Sequence, residues 1–248
     1  MVEINRAEVH AALSEPHRLA IVDALALEDL SPTEIAQRTG LTSNLLAHHL
    51  GVLEAAGVLR RRRSDGDGRR SYLTLAWENA LVAASAAVGS PPPGARVVFV
   101  CSANSARSQM AASLLAAHGA AAVASAGTRP AQAIHPLALA ELASRGLAPI
   151  AASPASADDV LTPTDIVVAV CDNAFEDLGR VRVDLHWSVA DPASGAADEF
   201  GHAFDDLTPR VGRLADALGR EHPTHPAPHA SALAHQTPTH QTPTPTHG

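Results

Sequence analysis

The stretch Val97-Val98-Phe99-Val100-Cys101-Ser102-Ala103-Asn104-Ser105-Ala106-Arg107-Ser108-Gln109-Met110 decides how this chain is read. A β-branched apolar run ends at Cys101, Arg107 follows after five intervening residues, and Met110, Leu114 and Leu115 then recur at helical spacing. The pattern predicts a buried strand, a tight loop and the N-terminus of a helix. Small residues between Cys101 and Arg107 let successive backbone N–H groups turn inward and form a nest for an oxyanion. The helix dipole adds positive potential at the same point. Arg107 can offer a planar fork to two oxygens of a tetrahedral anion. The expected oxyanion-binding set is Ser102, Ala103, Asn104, Ser105, Ala106, Arg107 and Ser108. The same field favours the thiolate of Cys101, so one loop carries a nucleophile and a cradle for phosphate or a phosphate mimic.

Outward from this stretch, the 248-residue chain is long enough for two modest domains. Its formal net charge is −8, which argues against a general polyanion binder. All its basic residues are Arg, and six of them crowd between Arg60 and Arg70, which makes one local basic patch. Two cysteines, Cys101 and Cys171, make no disulfide framework and fit a reducing compartment. No apolar run approaches the length that spans a bilayer, and the first residues show no signal region. The chain is expected to be cytoplasmic, with no membrane partner.

Residues 1–78 read as a winged helix-turn-helix. Two helical patterns between Asn5 and Leu27 are broken at Ser14-Glu15-Pro16. Ser31-Pro32-Thr33-Glu34 is a helix start with a capping box, and Gly40 is its C-cap. Thr42 can cap the next helix, in which Leu46, Leu50 and Leu53 share one face while Asn44, Ala47, His48 and Gly51 share the other. A short helix, a turn and a second helix with a small, polar outer face is the DNA-reading arrangement. Asp65-Gly66-Asp67-Gly68 is hairpin chemistry between two strands, and its arginines can clasp DNA phosphates. The expected DNA contacts are Ser43, Asn44, Ala47 and His48 on the helix and Arg61, Arg63, Arg69 and Arg70 on the wing. A helix from Trp77 to Val88 offers Glu78 alone as a hard ligand, so no metal site is expected.

A Pro-rich spacer within 79–94 precedes a second domain at 95–220. Strands are expected at 96–100, 121–125, 164–170 and 181–185, with helices from the loop to His118, at Pro136 to Arg145, near Ala157, and from Asp198 to Leu218. The alternation predicts an α/β domain with a four-stranded parallel sheet covered on both faces. Ligands in such folds bind at the carboxyl ends of strands, where both cysteines fall. The tail 221–248, rich in His, Pro and Thr, lacks apolar content for a core and is expected to be disordered, with weak metal capture at most.

Cys101-x5-Arg107-Ser108 after a strand resembles the loop of the low-molecular-weight protein tyrosine phosphatases and of the arsenate reductases that share their fold. The wording Asn104-Ser105-x-Arg107-Ser108-Gln109-Met110-Ala111 resembles the reductases more. The resemblance implies that Asp191, in Asp191-Pro192 after His186-Trp187, is the general acid. It also implies that Cys171, in Val170-Cys171-Asp172-Asn173, resolves the Cys101 adduct as a second thiol. Phe175-Glu176-Asp177-Leu178 carries no third cysteine, so an external thiol must complete the cycle: a thioredoxin-like protein, or a small thiol with a glutaredoxin-like partner. No bound cofactor is implied. Ala193-Ser194-Gly195 after the Asp-Pro pair offers nothing to stack on a phosphotyrosine, and the chain is 3% aromatic, so a small inorganic oxyanion is favoured as substrate.

Residues 1–78 resemble the winged-helix repressors of the ArsR/SmtB type through Glu15-Pro16-x-Arg18, His48-His49-Leu50-x-x-Leu53-x-x-x-Gly57 and the wing. This implies homodimers through the N-terminal domain that bind double-stranded DNA and release it on metal or metalloid binding. Arsenic-sensing members often carry a cysteine pair near the helix before the recognition helix; Ala24 to Ser31 carries none. Two alternatives stay open: a phosphatase, and a non-catalytic regulator that senses an oxyanion through its second domain.

Overall fold

The computed structural model describes residues 6–87, 96–119, 122–180, 182–196 and 198–220. The Pro-rich spacer from Val88 and the tail from Glu221 lie outside the described residues.

Among the described residues, the first half is five helices and a hairpin. Helices α1 (Arg6–Leu13) and α2 (Pro16–Ala24) meet where Glu15 caps α2 by accepting the Arg18 N–H. Helix α3 (Pro32–Thr39) has the expected capping box and ends at Gly40 in the left-handed conformation (φ 70°). In α4 (Ser43–Ala55), Thr42 occupies the N-cap position but makes no side-chain cap bond. Strands β1 (Leu59–Arg63) and β2 (Ser71–Leu75) pair antiparallel, from Leu59 opposite Leu75 to Arg63 opposite Ser71. Helix α5 (Ala80–Ser85) is shorter than the expected Trp77–Val88. Turn bonds from Trp77 N–H to Leu75 O and from Asn79 N–H to Ala76 O hold the chain until Asn79 caps the helix. The core of this half gathers Val9, Ile21, Leu25, Ile35, Leu50, Leu53 and Leu73.

The second half is the expected parallel sheet, in the order β4-β3-β5-β6: β3 (Arg96–Cys101), β4 (Val123–Gly127), β5 (Asp165–Ala169) and β6 (Leu185–His186). Helices α6 (Arg107–Ala117), α7 (Pro136–Ser144), α8 (Ala157–Val160), α9 (Asp172–Leu178) and α10 (Glu199–Arg220) accompany it. The last strand was expected at 181–185. It forms later because Arg182 closes a turn on Gly179, and because the Asp184 carboxylate, not a strand backbone, accepts the Val167 N–H at 2.8 Å. Buried Val97–Val100, Met110, Leu115, Val168, Trp187, Leu207 and Leu214 form the core. Burying such side chains contributes roughly 1.5–3 kcal/mol each before conformational entropy is counted.

The two halves share a buried interface. The Asp29 carboxylate accepts both the Ser188 N–H at 2.7 Å and the Arg210 Nη1 at 2.8 Å. Trp187 Nε1 donates to Leu27 O at 2.7 Å, and Asp29 N–H to His186 O at 2.7 Å. Tyr72 of β2 belongs to the core of the second half, edge-on to Phe175 and His186. No helix among the described residues is long and apolar enough to cross a membrane.

Candidate active site

The apolar strand β3 delivers Cys101 to the carboxyl edge of the sheet, and α6 begins at Arg107. The loop between them is held by side chains, not by regular structure. Asn104, fully buried, has φ 51°, a left-handed conformation that strains a side chain bearing a Cβ. Its surroundings over-determine it: Asn104 Nδ2 donates to Ser108 Oγ at 2.8 Å, and Asn104 Oδ1 accepts the Ala155 N–H at 2.9 Å. Asn104 O accepts from Gln109 Nε2 at 3.2 Å. Two groups approach the nucleophile: Asn104 N–H at 3.2 Å from Cys101 Sγ, and Ser108 Oγ at 3.1 Å. Both can donate a hydrogen bond to the sulfur. Gly127 at the end of β4 makes room for this loop, since a Cβ there would lie 2.8 Å from Ser102 O and 2.9 Å from Asn104 N.

Arg107 is buried, with Nη1 donating to Val189 O at 2.9 Å and Nη2 standing 3.4 Å from Asp191 Oδ1. Burial opposes its charge, yet Cys171, Cys101, Asp191 and Asp65 hold its pKa above the ordinary value. Asp191 is half exposed and caps a short turn of 3-10 helix, accepting the Ala193 N–H at 3.2 Å. Cys171 follows β5, the strand beside β3, and its Sγ lies 3.6 Å from Ser102 Oγ. Burial pushes the Cys171 thiol above its usual value; Arg107 pulls the other way and does not win. Cys101, Arg107, Asp191 and Cys171 therefore converge on one corner of the sheet, the two cysteines from strand ends, Arg107 from the start of α6 and Asp191 from a loop. Ala106 is buried beside them; Ser102, Ala103 and Ser105 are partly buried in the loop.

Several residues of this corner went unread in the sequence. Asp172, fully buried, lies 3.0 Å from His186 Nε2, and its other oxygen accepts the Asp65 N–H of the wing at 2.9 Å. Burial raises the Asp172 carboxyl, but these hydrogen bonds outweigh it and lower the pKa. Glu176 accepts the Asp67 N–H at 2.7 Å and the Ser64 hydroxyl at 2.8 Å. Arg62 donates to Ser188 O at 3.0 Å. The wing tip is thus seated on α9, the helix that starts after Cys171. The acids at Asp172 and Glu176, four apart on one short helix, were the available signal, but nothing local names their partners.

In the first half, Ser43, Asn44, Ala47 and His48 are exposed along α4. Arg63 and Arg69 are exposed on the wing. Arg61 pairs with Glu54 at 2.9 Å, Arg69 with Asp67 at 3.0 Å, and Arg70 stands 3.7 Å from Asp67.

Comparison with known proteins agrees with this division. A helix-turn-helix domain model matches residues 13–62. A search of curated proteins returned no match. Among solved structures, an arsenate reductase from Archaeoglobus fulgidus is 29% identical over 49% of this chain and 99% of its own, with a TM-score of 0.44. A thioredoxin-dependent arsenate reductase from Corynebacterium glutamicum is 29% identical over 53% of this chain and 65% of its own, with a TM-score of 0.43. An arginine phosphatase from Geobacillus stearothermophilus is 26% identical over 51% of this chain and 94% of its own, with a TM-score of 0.45. A family model for low molecular weight phosphotyrosine protein phosphatase matches residues 96–224, and with a helix-turn-helix domain ahead of that match the chain belongs to this phosphatase family.

Proposed function

We propose that the chain is a DNA-binding transcriptional regulator of the ArsR type joined to an arsenate reductase. The observation that carries the enzyme half is Cys171, a second thiol beside the oxyanion loop, 3.6 Å from Ser102 Oγ. A phosphatase returns its phosphocysteine to water and needs no such group. In the reductase, the loop N–H groups and Arg107 hold arsenate, and the Cys101 thiolate attacks arsenic. Asp191 protonates the departing oxygen, which leaves as water. Cys171 then gives up its proton and attacks Cys101 Sγ. The S–As bond breaks, its electron pair stays on arsenic, arsenic(V) becomes arsenic(III) in arsenite, and the two thiols end as a Cys101–Cys171 disulfide. An external thiol system of the thioredoxin or glutaredoxin kind returns both to thiols.

For the first half, the exposed face of α4 and the wing arginines support binding to duplex DNA as a homodimer, with phosphate contacts from Arg63 and Arg69. The test is arsenite production from arsenate by the purified chain, supplied in turn with each thiol system, beside hydrolysis of an aryl phosphate. Arsenite formation that is lost in Cys101→Ser and in Cys171→Ser supports the reductase. Phosphate release that survives Cys171→Ser overturns it in favour of a phosphatase. If neither reaction occurs while an oxyanion shifts the binding of duplex DNA, the second half is a sensor.

A further inference from the structure

Glu15, His17 and His49 meet where the N-terminus of α2 lies against α4. His17 Nδ1 is 2.7 Å from Glu15 Oε1, and His49 Nδ1 is 3.6 Å from Glu15 Oε2. The imidazoles of His17 and His49 are stacked with centroids 5.5 Å apart. One ligand atom from each of the three residues lies within 4.8 Å of the other two. His49 is 5% exposed, and neither of its ring nitrogens has a hydrogen-bond partner. A buried imidazole without a hydrogen bond on either nitrogen is costly, and a protein keeps its buried polar groups hydrogen-bonded as a rule. We infer that Glu15, His17 and His49 form a binding site for a borderline divalent transition cation of the zinc class.

The donor set selects the ion. Two imidazoles and one carboxylate suit Zn2+ and its neighbours, whose ligand bonds of about 2.0–2.2 Å place tetrahedral donors roughly 3.3–3.5 Å apart. The His49–Glu15 distance already falls near that range, and His17, exposed at the surface, can turn to complete it. Two imidazoles are poor ligands for Ca2+ or Mg2+, which take oxygen. The absence of thiolate from the trio disfavours Cu(I) and arsenite, which are soft. The trio supplies three donors, which leaves a fourth position of the ion to water. Its protein ligands come from two elements: Glu15 and His17 from the start of α2, and His49 from the helix that carries the exposed Ser43, Asn44, Ala47 and His48. The bound ion therefore ties α4 to α2.

The measurement is a Zn2+ titration of the full chain followed by the imidazole 1H–15N signals of each histidine. The full chain also carries six histidines after residue 220, so bulk uptake of zinc decides nothing and the site-resolved signals do. With the first equivalents of Zn2+, the His17 and His49 signals move together, and the thermal midpoint of the chain rises. In His17→Ala and in Glu15→Gln, both surface-side changes, the His49 signal stays in place at the same zinc concentration, and affinity at this site falls by about tenfold or more. Zinc that shifts only the C-terminal histidines, leaving His17 and His49 unmoved in the parent chain, overturns the assignment. So does a His49 shift that persists unchanged in both variants.

Discussion

Asp29→Ala removes the centre of the interface between the two halves. Asp29 is 1% exposed, and its carboxylate accepts Arg210 Nη1 at 2.8 Å on both oxygens and the Ser188 N–H at 2.7 Å. Removing one partner of a buried ion pair costs about 3–5 kcal/mol, because the other charge stays behind unpaired. Arg210 keeps two partners, Asp206 Oδ1 at 3.1 Å and Thr74 Oγ1 at 2.9 Å, which places the loss at the low end. The orphaned Ser188 N–H adds about 1 kcal/mol. The expected destabilisation is therefore about 3–4 kcal/mol, a large share of the roughly 5–15 kcal/mol that stabilises a native domain. In urea, a slope of about 2–3 kcal/mol per molar turns this into a midpoint lowered by about 1–2 M. The assay is urea unfolding followed by circular dichroism for Asp29→Ala, Arg210→Met and the Asp29→Leu/Arg210→Met double variant. The double variant is expected to recover at least half of the loss, since it leaves no buried charge unpaired in this pair. A midpoint lowered by less than about 0.3 M in Asp29→Ala, or a double variant as unstable as the two single losses added, would refute the reasoning.

The loop gives a second expectation: Gly127→Ala sets a methyl group 2.8 Å from Ser102 O, against backbone that cannot swing away, so stability falls by about 1–3 kcal/mol and turnover by tenfold or more. Unchanged turnover would show that the loop can shift without cost. Cys171 supplies a dependence on alkali. Its pKa is raised by burial, so its contribution to stability is complete below the ordinary thiol value of about 8.5 and is lost as pH rises toward the folded-state value. As pH rises from neutral to above about 8.5, urea midpoints are expected to fall less in Cys171→Ser than in the parent, and parallel curves would count against it. Asp172 has the opposite sign: burial opposes but hydrogen bonds lower its pKa, so its contribution is present above the ordinary aspartate value of about 3.9 and is lost as pH falls below it. Protection of the Asp65 amide from hydrogen exchange, relative to the unstructured amide at the same pH, is expected to fall on acidification in the parent and to be low at all pH values in Asp172→Asn; high protection in the variant would break the link.

What could be read from the residues alone was local. A strand, five small or polar residues and an arginine at a helix start are set by neighbours in the chain, and the structure places Cys101, Ser108 and Arg107 accordingly. The capping box at Ser31 and Glu34 and the apolar face of Leu46, Leu50 and Leu53 were legible for the same reason. Register and length were less so. Strand β6 lost its expected start because a side chain, Asp184, takes the hydrogen bond a strand backbone would have taken. Contacts across the chain left no periodic trace: Asp29 and Arg210 lie 181 residues apart, and Asp65 and Asp172 lie 107 apart. Glu28 and Asp29, two acids inside the apolar stretch Ala24 to Leu30, were a visible irregularity, and both prove to be buried against arginines of the second half. Acids within an apolar run mark charge that must be paired, but not where the partner comes from. The trio of Glu15, His17 and His49 was hidden similarly, because 34 residues separate His49 from Glu15 and only the packing of α4 on α2 joins them.

The seating of the wing joins the chemistry of the second half to the geometry of the first. Cys171 is the N-cap of α9, its Sγ accepting the Ala174 N–H at 3.4 Å, and the next residue, Asp172, accepts the Asp65 N–H of the wing. Glu176, one turn on, accepts the Asp67 N–H. A helix of seven residues has little independent stability, so its first turn depends on its cap and on what packs against it. A sulfur committed to a disulfide no longer caps α9 in the same way, and the carboxylates of Asp172 and Glu176 are carried on that same turn. By linkage, a free-energy difference between wing-seated and wing-released forms that depends on the state of Cys171 must appear equally as a dependence of Cys171 chemistry on wing seating. The wing and the thiol are thus joined through two hydrogen bonds: Arg63 ends β1, Arg69 lies in the turn before β2, and the amides of Asp65 and Asp67 in that turn rest on the carboxylates of α9.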